Sequence, residues 1–200
     1  MPTTTPPRPG RGIRAAAADE RLVALAQNGD HAAFDELAER HSTRLRRVLF
    51  RITRDCDAAY DAVQEALMRA WKNIGRLEGR AQFSTWLTRI GINEAYRGLR
   101  RPAEEPLELT DQVGERIPAW GARPDETFES REFLAAVDRA LGQLTLDYRT
   151  AVTLRDVEGL STADAARVLG IGERALKSRV HRGRMALRAK LDDYFASGYA

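Results

Sequence analysis

Gly159-Leu160-Ser161-Thr162-Ala163-Asp164-Ala165-Ala166-Arg167-Val168-Leu169-Gly170-Ile171-Gly172-Glu173-Arg174-Ala175-Leu176-Lys177-Ser178-Arg179-Val180-His181-Arg182 reads as a short capped helix, a glycine turn and a second helix rich in positive charge. Ser161 with Asp164 three residues on has capping-box spacing and starts the first helix. Gly170 stands where a left-handed residue stops it, and Gly172 opens the next. This is the pattern of a helix-turn-helix, whose second helix usually lies in the DNA major groove. In that helix Leu176, Val180, Gly183 and Leu187 recur at helical spacing and form a buried stripe. Lys177, Ser178, His181 and Arg182 share another face, suited to base edges and phosphates. From Glu173 to Lys190 there are seven Lys or Arg against one Glu. Basic helix ends also complement the helix dipole, but the cap and the turn favour DNA binding.

Working outward, two hundred residues allow one or two small domains. The sequence pI is about 9.3 while the formal net charge is only +3, so the basicity is local. A single cysteine, Cys56, excludes a disulfide framework and a cysteine-based metal site. His31, His41 and His181 are scattered without ligand spacing. No apolar run approaches a membrane span, and the start of the chain lacks the apolar core of a signal peptide. The expectation is a soluble cytoplasmic protein with no direct membrane insertion.

Proline divides the chain. Pro2, Pro6, Pro7 and Pro9 lie at the start, and Pro102, Pro106, Pro118 and Pro124 in the middle. The proline-free stretches fit two helical domains joined by a linker. Residues 1–18, with Arg8, Arg11 and Arg14 and no acid, read as a disordered basic tail. Residues 102–127 carry Glu104, Glu105, Glu108, Asp111, Glu115, Asp125 and Glu126 against Arg116 and Arg123, an acidic, flexible linker. The expected domains are residues 19–101 and 128–195. In the first, Phe34, Leu37, Leu45, Val48, Leu49 and Ile52 form one apolar helical stripe, with His41 on it as a packing residue. Val63, Leu67, Ala70, Trp71 and Ile74 form another, and a third helix runs from about Ser84 to Arg101. No segment alternates with the period of a strand. The fold class is all-α, with two small helical domains.

Two further blocks separate the classes of DNA-binding protein. In Asp61-Ala62-Val63-Gln64-Glu65-Ala66-Leu67-Met68-Arg69-Ala70-Trp71, the residues Asp61, Gln64, Glu65 and Arg69 face outward, with i,i+4 support from Glu65 to Arg69. In the helix after Phe83, the residues Arg89, Asn93, Tyr96, Arg97 and Arg100 form a basic, partly aromatic face that suits a phosphate backbone and an unpaired base. Phe83 and Trp86 read as core anchors of that helix.

Asp61-x-Val63-Gln64-Glu65 with Arg69-Ala70-Trp71, followed by Phe83-x-Thr85-Trp86-Leu87-x-Arg89-Ile90-x-x-Asn93, resembles the promoter-melting domain (region 2) of bacterial RNA polymerase sigma factors. Leu154-Arg155-Asp156-Val157-Glu158-Gly159-Leu160-Ser161 with Lys177-Ser178-Arg179-x-His181-Arg182 resembles their upstream-element domain (region 4). The short linker is similar to that of the extracytoplasmic-function group. The resemblance covers residues 20–101 and 128–195. It implies docking of core RNA polymerase on Asp61, Gln64, Glu65 and Arg69. It implies capture of flipped minus-ten bases by Arg80 in the loop and by Arg89, Asn93, Arg97 and Arg100. Arg149, Arg174, Lys177, Ser178, Arg179, His181 and Arg182 would then serve the minus-thirty-five element of promoter DNA, with an anti-sigma factor as a further partner. The acidic linker would thread polymerase channels that otherwise hold nucleic acid.

The function expected is promoter recognition, promoter melting and transcription initiation. A helix-turn-helix regulator that binds duplex DNA without joining polymerase explains residues 159–190 equally well, but leaves the two faces of the first domain without a task. An enzyme is disfavoured, because the sequence offers no nucleophile with a base, no carboxylate cluster at metal spacing and no phosphate-cradling glycine loop. No cofactor, metal or small-molecule substrate is expected.

Overall fold

The computed structural model describes residues 18–77, 82–100 and 128–198. Residues 1–17 of the expected tail, the acidic linker and Arg80 lie outside the described residues, as does the side chain of Arg100. Among the described residues eight α-helices follow in order: α1 Asp19–Gln27, α2 His31–Thr53, α3 Cys56–Asn73, α4 Phe83–Arg100, α5 Phe128–Gly142, α6 Leu146–Val152, α7 Thr162–Leu169 and α8 Glu173–Gly198. The described residues contain no strand, in keeping with the all-α reading.

Local chemistry sets the helix ends. The Asp30 carboxylate accepts from Ala33 N and starts α2, and Asp55 accepts from Asp57 N and Ala58 N at the start of α3. Between them Arg54 takes a left-handed conformation at φ 63, a position that costs a residue with Cβ about 1–2 kcal/mol. Its side chain is anchored nonetheless, paired with Asp138 at 2.7 Å and placed over the Phe50 ring. Gln27, at the end of α1, donates to the carbonyls of Ile74 and Leu77. That contact ties α1 to the short 3-10 turn Ile74–Arg76 after α3.

The apolar stripe of α2 is buried as its periodicity predicts: Phe34, Leu37, Leu45, Val48, Leu49 and Ile52 all lie in the core. It packs on α3 and α4, where Gly91 allows close approach to Leu45 and Leu49. Phe83 is buried and Trp86 half-buried within an aromatic group that includes Phe34, His41 and Trp71. His41 packs on Phe83 and bonds Asp19 at 2.6 Å, fastening the first turn of α1.

In the C-terminal group, α6 widens into a π-helical turn, Thr153–Val157, before the helix-turn-helix. The groups are not independent. One buried cluster runs from Leu49, Ile52, Ile92 and Ala95 into Ala151, Leu154, Ala165, Val168, Leu176 and Val180. Helix α7 packs on α4, and α5 and α6 pack on α2. Polar contacts border this seam. Tyr96 donates its hydroxyl to Thr150 Oγ1, Arg44 pairs with Glu158, and Arg149 donates to the Ile52 carbonyl at 2.6 Å.

Candidate nucleic-acid interface

The helix-turn-helix forms as its residues require. Ser161 Oγ accepts from Asp164 N at 3.0 Å and donates to the Asp164 carboxylate. Gly170 adopts φ 65 at the end of α7, where Ile171 N returns to the Ala166 carbonyl. Leu176, Val180 and Gly183 then turn inward, and Leu187 is half-buried beside Val152 and Leu144. Gly183 is needed by its neighbours, since a Cβ there would stand 2.7 Å from Val152 Cγ2.

The cations of α8 divide into two sets. Arg179 pairs with Asp147 at 3.0 Å, Arg184 grips Asp156 through two nitrogens, and Lys190 donates to Gln143. Bonding to Asp156 raises the Arg184 pKa above the ordinary arginine value. Arg174, Lys177 and Arg182 are exposed and make no ion pair among the described residues. Ser178 and His181 are exposed beside them. An outward group of three unneutralised cations with two short hydrogen-bonding side chains is therefore available to an anionic duplex.

Arg149 stands elsewhere. Its guanidinium turns inward, donating to the carbonyls of Gly142, Leu144 and Ile52, and its Nε has no hydrogen-bond partner among the described residues. Burial, followed by the nearby charge of Arg54, pushes its pKa below the usual arginine range. Arg149 in this conformation is a seam residue, and Arg179 is neutralised in place. The family resemblance assigned both to the minus-thirty-five element by motif position, which carries no record of which acid or carbonyl the fold brings near.

On α4, Arg89 and Asn93 are exposed and Arg97 is half-exposed. Tyr96 is turned away from them, half-buried against Thr150, so the aromatic member of the predicted face belongs to the seam. Burial raises its pKa above the ordinary tyrosine value. On α3, Asp61, Gln64, Glu65 and Arg69 are all exposed, joined by exposed Tyr60 and Met68. The anticipated Glu65–Arg69 contact is loose at 3.9 Å, because Arg69 Nε instead meets Glu94 at 2.9 Å. The pattern did not single out Glu94; a carboxylate on the inner side of α4, one residue beyond Asn93, was the available signal. A groove of about 610 Å3 between α3 and α4 is lined by Asp61, Glu65, Arg69, Glu94 and Arg97. No group of three or more His, Cys, Asp or Glu able to hold a metal occurs among the described residues. None of the described helices is long and apolar enough to cross a membrane.

Comparison with known proteins matches both halves. Residues 37–104 match the family model described as Sigma-70 region 2, and residues 134–187 match Sigma-70, region 4. The chain is 36% identical over 192 residues to the ECF RNA polymerase sigma factor SigM of Mycobacterium tuberculosis, covering 96% of this chain and 93% of that one. It is 34% identical over 176 residues to the RNA polymerase sigma-H factor of Pseudomonas aeruginosa, covering 84% and 91%. Among solved structures, CnrH in complex with the cytosolic domain of CnrY superposes with a TM-score of 0.64 at 28% identity, covering 88% of this chain and 99% of that one. The sigma factor RpoE of Bartonella quintana, solved with the anti-sigma factor NepR, gives 0.61 at 28% identity, covering 80% and 96%. Matched in both regions, in order and over most of its length, the chain belongs to the ECF RNA polymerase sigma factors.

Proposed function

We propose that the chain joins core RNA polymerase through the exposed face of α3 and reads promoter DNA through two separate surfaces. Asp61, Gln64, Glu65 and Arg69 dock on polymerase. Residues 19–101 form the unit that binds the opened minus-ten strand, with Arg89, Asn93 and Arg97 on α4 and with Arg80 and Arg100 as its sequence-level extension. Residues 128–195 form the unit that reads the minus-thirty-five element, with Arg174, Lys177, Ser178, His181 and Arg182 in the major groove. The linker of residues 102–127 lies along polymerase channels suited to phosphate, as its negative charge favours. The chain makes and breaks no bond and needs no cofactor. Melting is driven by binding of extruded bases against the cost of unpairing them. An anti-sigma factor is a fitting regulator, and the cytoplasm is the compartment where polymerase and promoter meet.

The observation that carries this reading is the division of cations on α8. Arg179 and Arg184 are tied to acids of the fold while Arg174, Lys177 and Arg182 stand exposed beside Ser178 and His181. A duplex binder that never met polymerase would use α8 in the same way but would leave the exposed α3 face without a partner. The test uses the full chain with purified core enzyme. Lys177→Ala and Arg182→Ala should weaken duplex binding, lower its salt slope by about 1 each, and leave core binding intact. Glu65→Arg should weaken competition for core without unfolding the chain. Failure of the wild-type chain to support runoff transcription with core would overturn the proposal.

A further inference from the structure

Glu94 is the one buried carboxylate among the described residues, 8% exposed on the inner side of α4. A carboxylate is retained out of water only when paired and hydrogen-bonded, and Glu94 is paired twice. Its Oε1 meets Arg69 Nε at 2.9 Å, and its Oε2 accepts from Arg97 Nη1 at 2.5 Å. The two arginines come from different helices and meet across the groove between α3 and α4, each at the edge of its own helix's outward face. Arg69 rises from the α3 face proposed to dock on polymerase, and Arg97 from the α4 face proposed to hold the opened strand. Each is only half-buried, so one side of its guanidinium is held at Glu94 while the rest stays open to a partner.

We infer that Glu94 is a positioning residue that sets Arg69 and Arg97 from a single buried point, coupling the polymerase-docking surface to the strand-binding surface. The inference rests on the functional reading of those two arginines. A free arginine side chain samples many rotamers and loses that freedom when it binds; one already held through Nε or Nη1 loses less. Because both guanidiniums share one carboxylate, a partner that draws one away changes how the other is held. A glutamine at 94 keeps the shape and one acceptor but turns an amide donor toward the second guanidinium, so it cannot hold both.

A double-mutant cycle tests this with full-length protein. Core affinity is read by competition against labelled wild-type chain. Strand affinity is read with holoenzyme and a fluorescent single-stranded oligonucleotide taken from a promoter mapped by transcript-start sequencing. Glu94→Gln should weaken each by about three- to tenfold, the range for freeing one long side chain. The strand effect should vanish in an Arg97→Ala background and the core effect in an Arg69→Ala background, while duplex binding by α8 stays unchanged. Glu94→Gln losses that persist undiminished in those backgrounds would mean a general structural role and overturn the inference, as would wild-type affinities for Glu94→Gln. Should Glu94→Gln unfold, Arg69→Met supplies the reading: it should shift strand affinity by at least about twofold through the shared carboxylate, and no shift overturns the coupling. Failure of the wild-type chain itself to bind core would overturn the functional reading instead, a result distinguishable from all of these.

Discussion

Replacing Gly183 by alanine should destabilise the protein, although alanine is the better helix former. A Cβ at this position would sit 2.7 Å from Val152 Cγ2, 3.3 Å from the Tyr148 carbonyl oxygen and 3.4 Å from Tyr148 Cβ. Neither near neighbour yields easily. Val152 is β-branched, buried and confined to one preferred helical rotamer, and the Tyr148 oxygen is backbone. Overpacking of this kind costs about 1–3 kcal/mol, with the upper half of the range fitting rigid neighbours. The gain in helix propensity offsets about 0.8–1.0 kcal/mol. The net expectation is a loss of about 1–2 kcal/mol, read as a lower urea midpoint at unchanged m and a melting temperature about 2–8 °C lower. Gly98→Ala is the control. It stands exposed in α4 with nothing within 4 Å of the added carbon, so the same exchange should stabilise by about 0.5–1 kcal/mol. Relief of the Gly183 overlap would also push α8 away from α6, less than two turns from Lys177, so duplex affinity should fall with stability. A Gly183→Ala protein as stable as wild type would refute the claim that α8 and α6 are in contact at this distance.

Two other perturbations probe the cap and the seam. Ser161→Ala removes the acceptor for Asp164 N and the donor to its carboxylate, and should cost about 1 kcal/mol, measured by urea unfolding; an unchanged midpoint would show that the cap does not hold α7. Tyr96→Phe removes the hydroxyl bonded to Thr150 and should cost about 0.5–1.5 kcal/mol near neutrality. Burial raises the folded Tyr96 pKa, so above about pH 10 the unfolded chain releases this proton while the folded chain still keeps it. The contribution of the phenol is therefore complete below about pH 10 and is lost as pH rises through the folded value. Calorimetry at pH 8 and pH 10.5 should show the gap between wild type and Tyr96→Phe closing, and a gap that widens at the higher pH would contradict burial of the neutral phenol.

Local patterns determined much of this protein. The spacing of Ser161, Asp164, Gly170 and Gly172 specifies where two helices stop and start, because a cap and a left-handed residue act within a few bonds of the chain. The stripes from Phe34 to Ile52 and from Val63 to Trp71 give the inner faces of α2 and α3, with Leu67 and Trp71 half-buried and Ile74 buried in the turn that follows, because helical phase alone decides which side chains share a side. The exposed α3 and α8 residues follow from the same phase. Tertiary structure alone decided partnership. Arg149, Arg179 and Arg182 are alike in sequence, yet one donates to backbone carbonyls, one pairs with Asp147, and one stands exposed and without an ion pair among the described residues. Tyr96 left the basic face for Thr150, and Glu94 drew Arg69 away from Glu65, across gaps of 54 and 25 residues. Long polar side chains reach over several ångströms in many directions. Which acid, hydroxyl or carbonyl lies within that reach is set by how the helices pack, and helical periodicity carries no record of it.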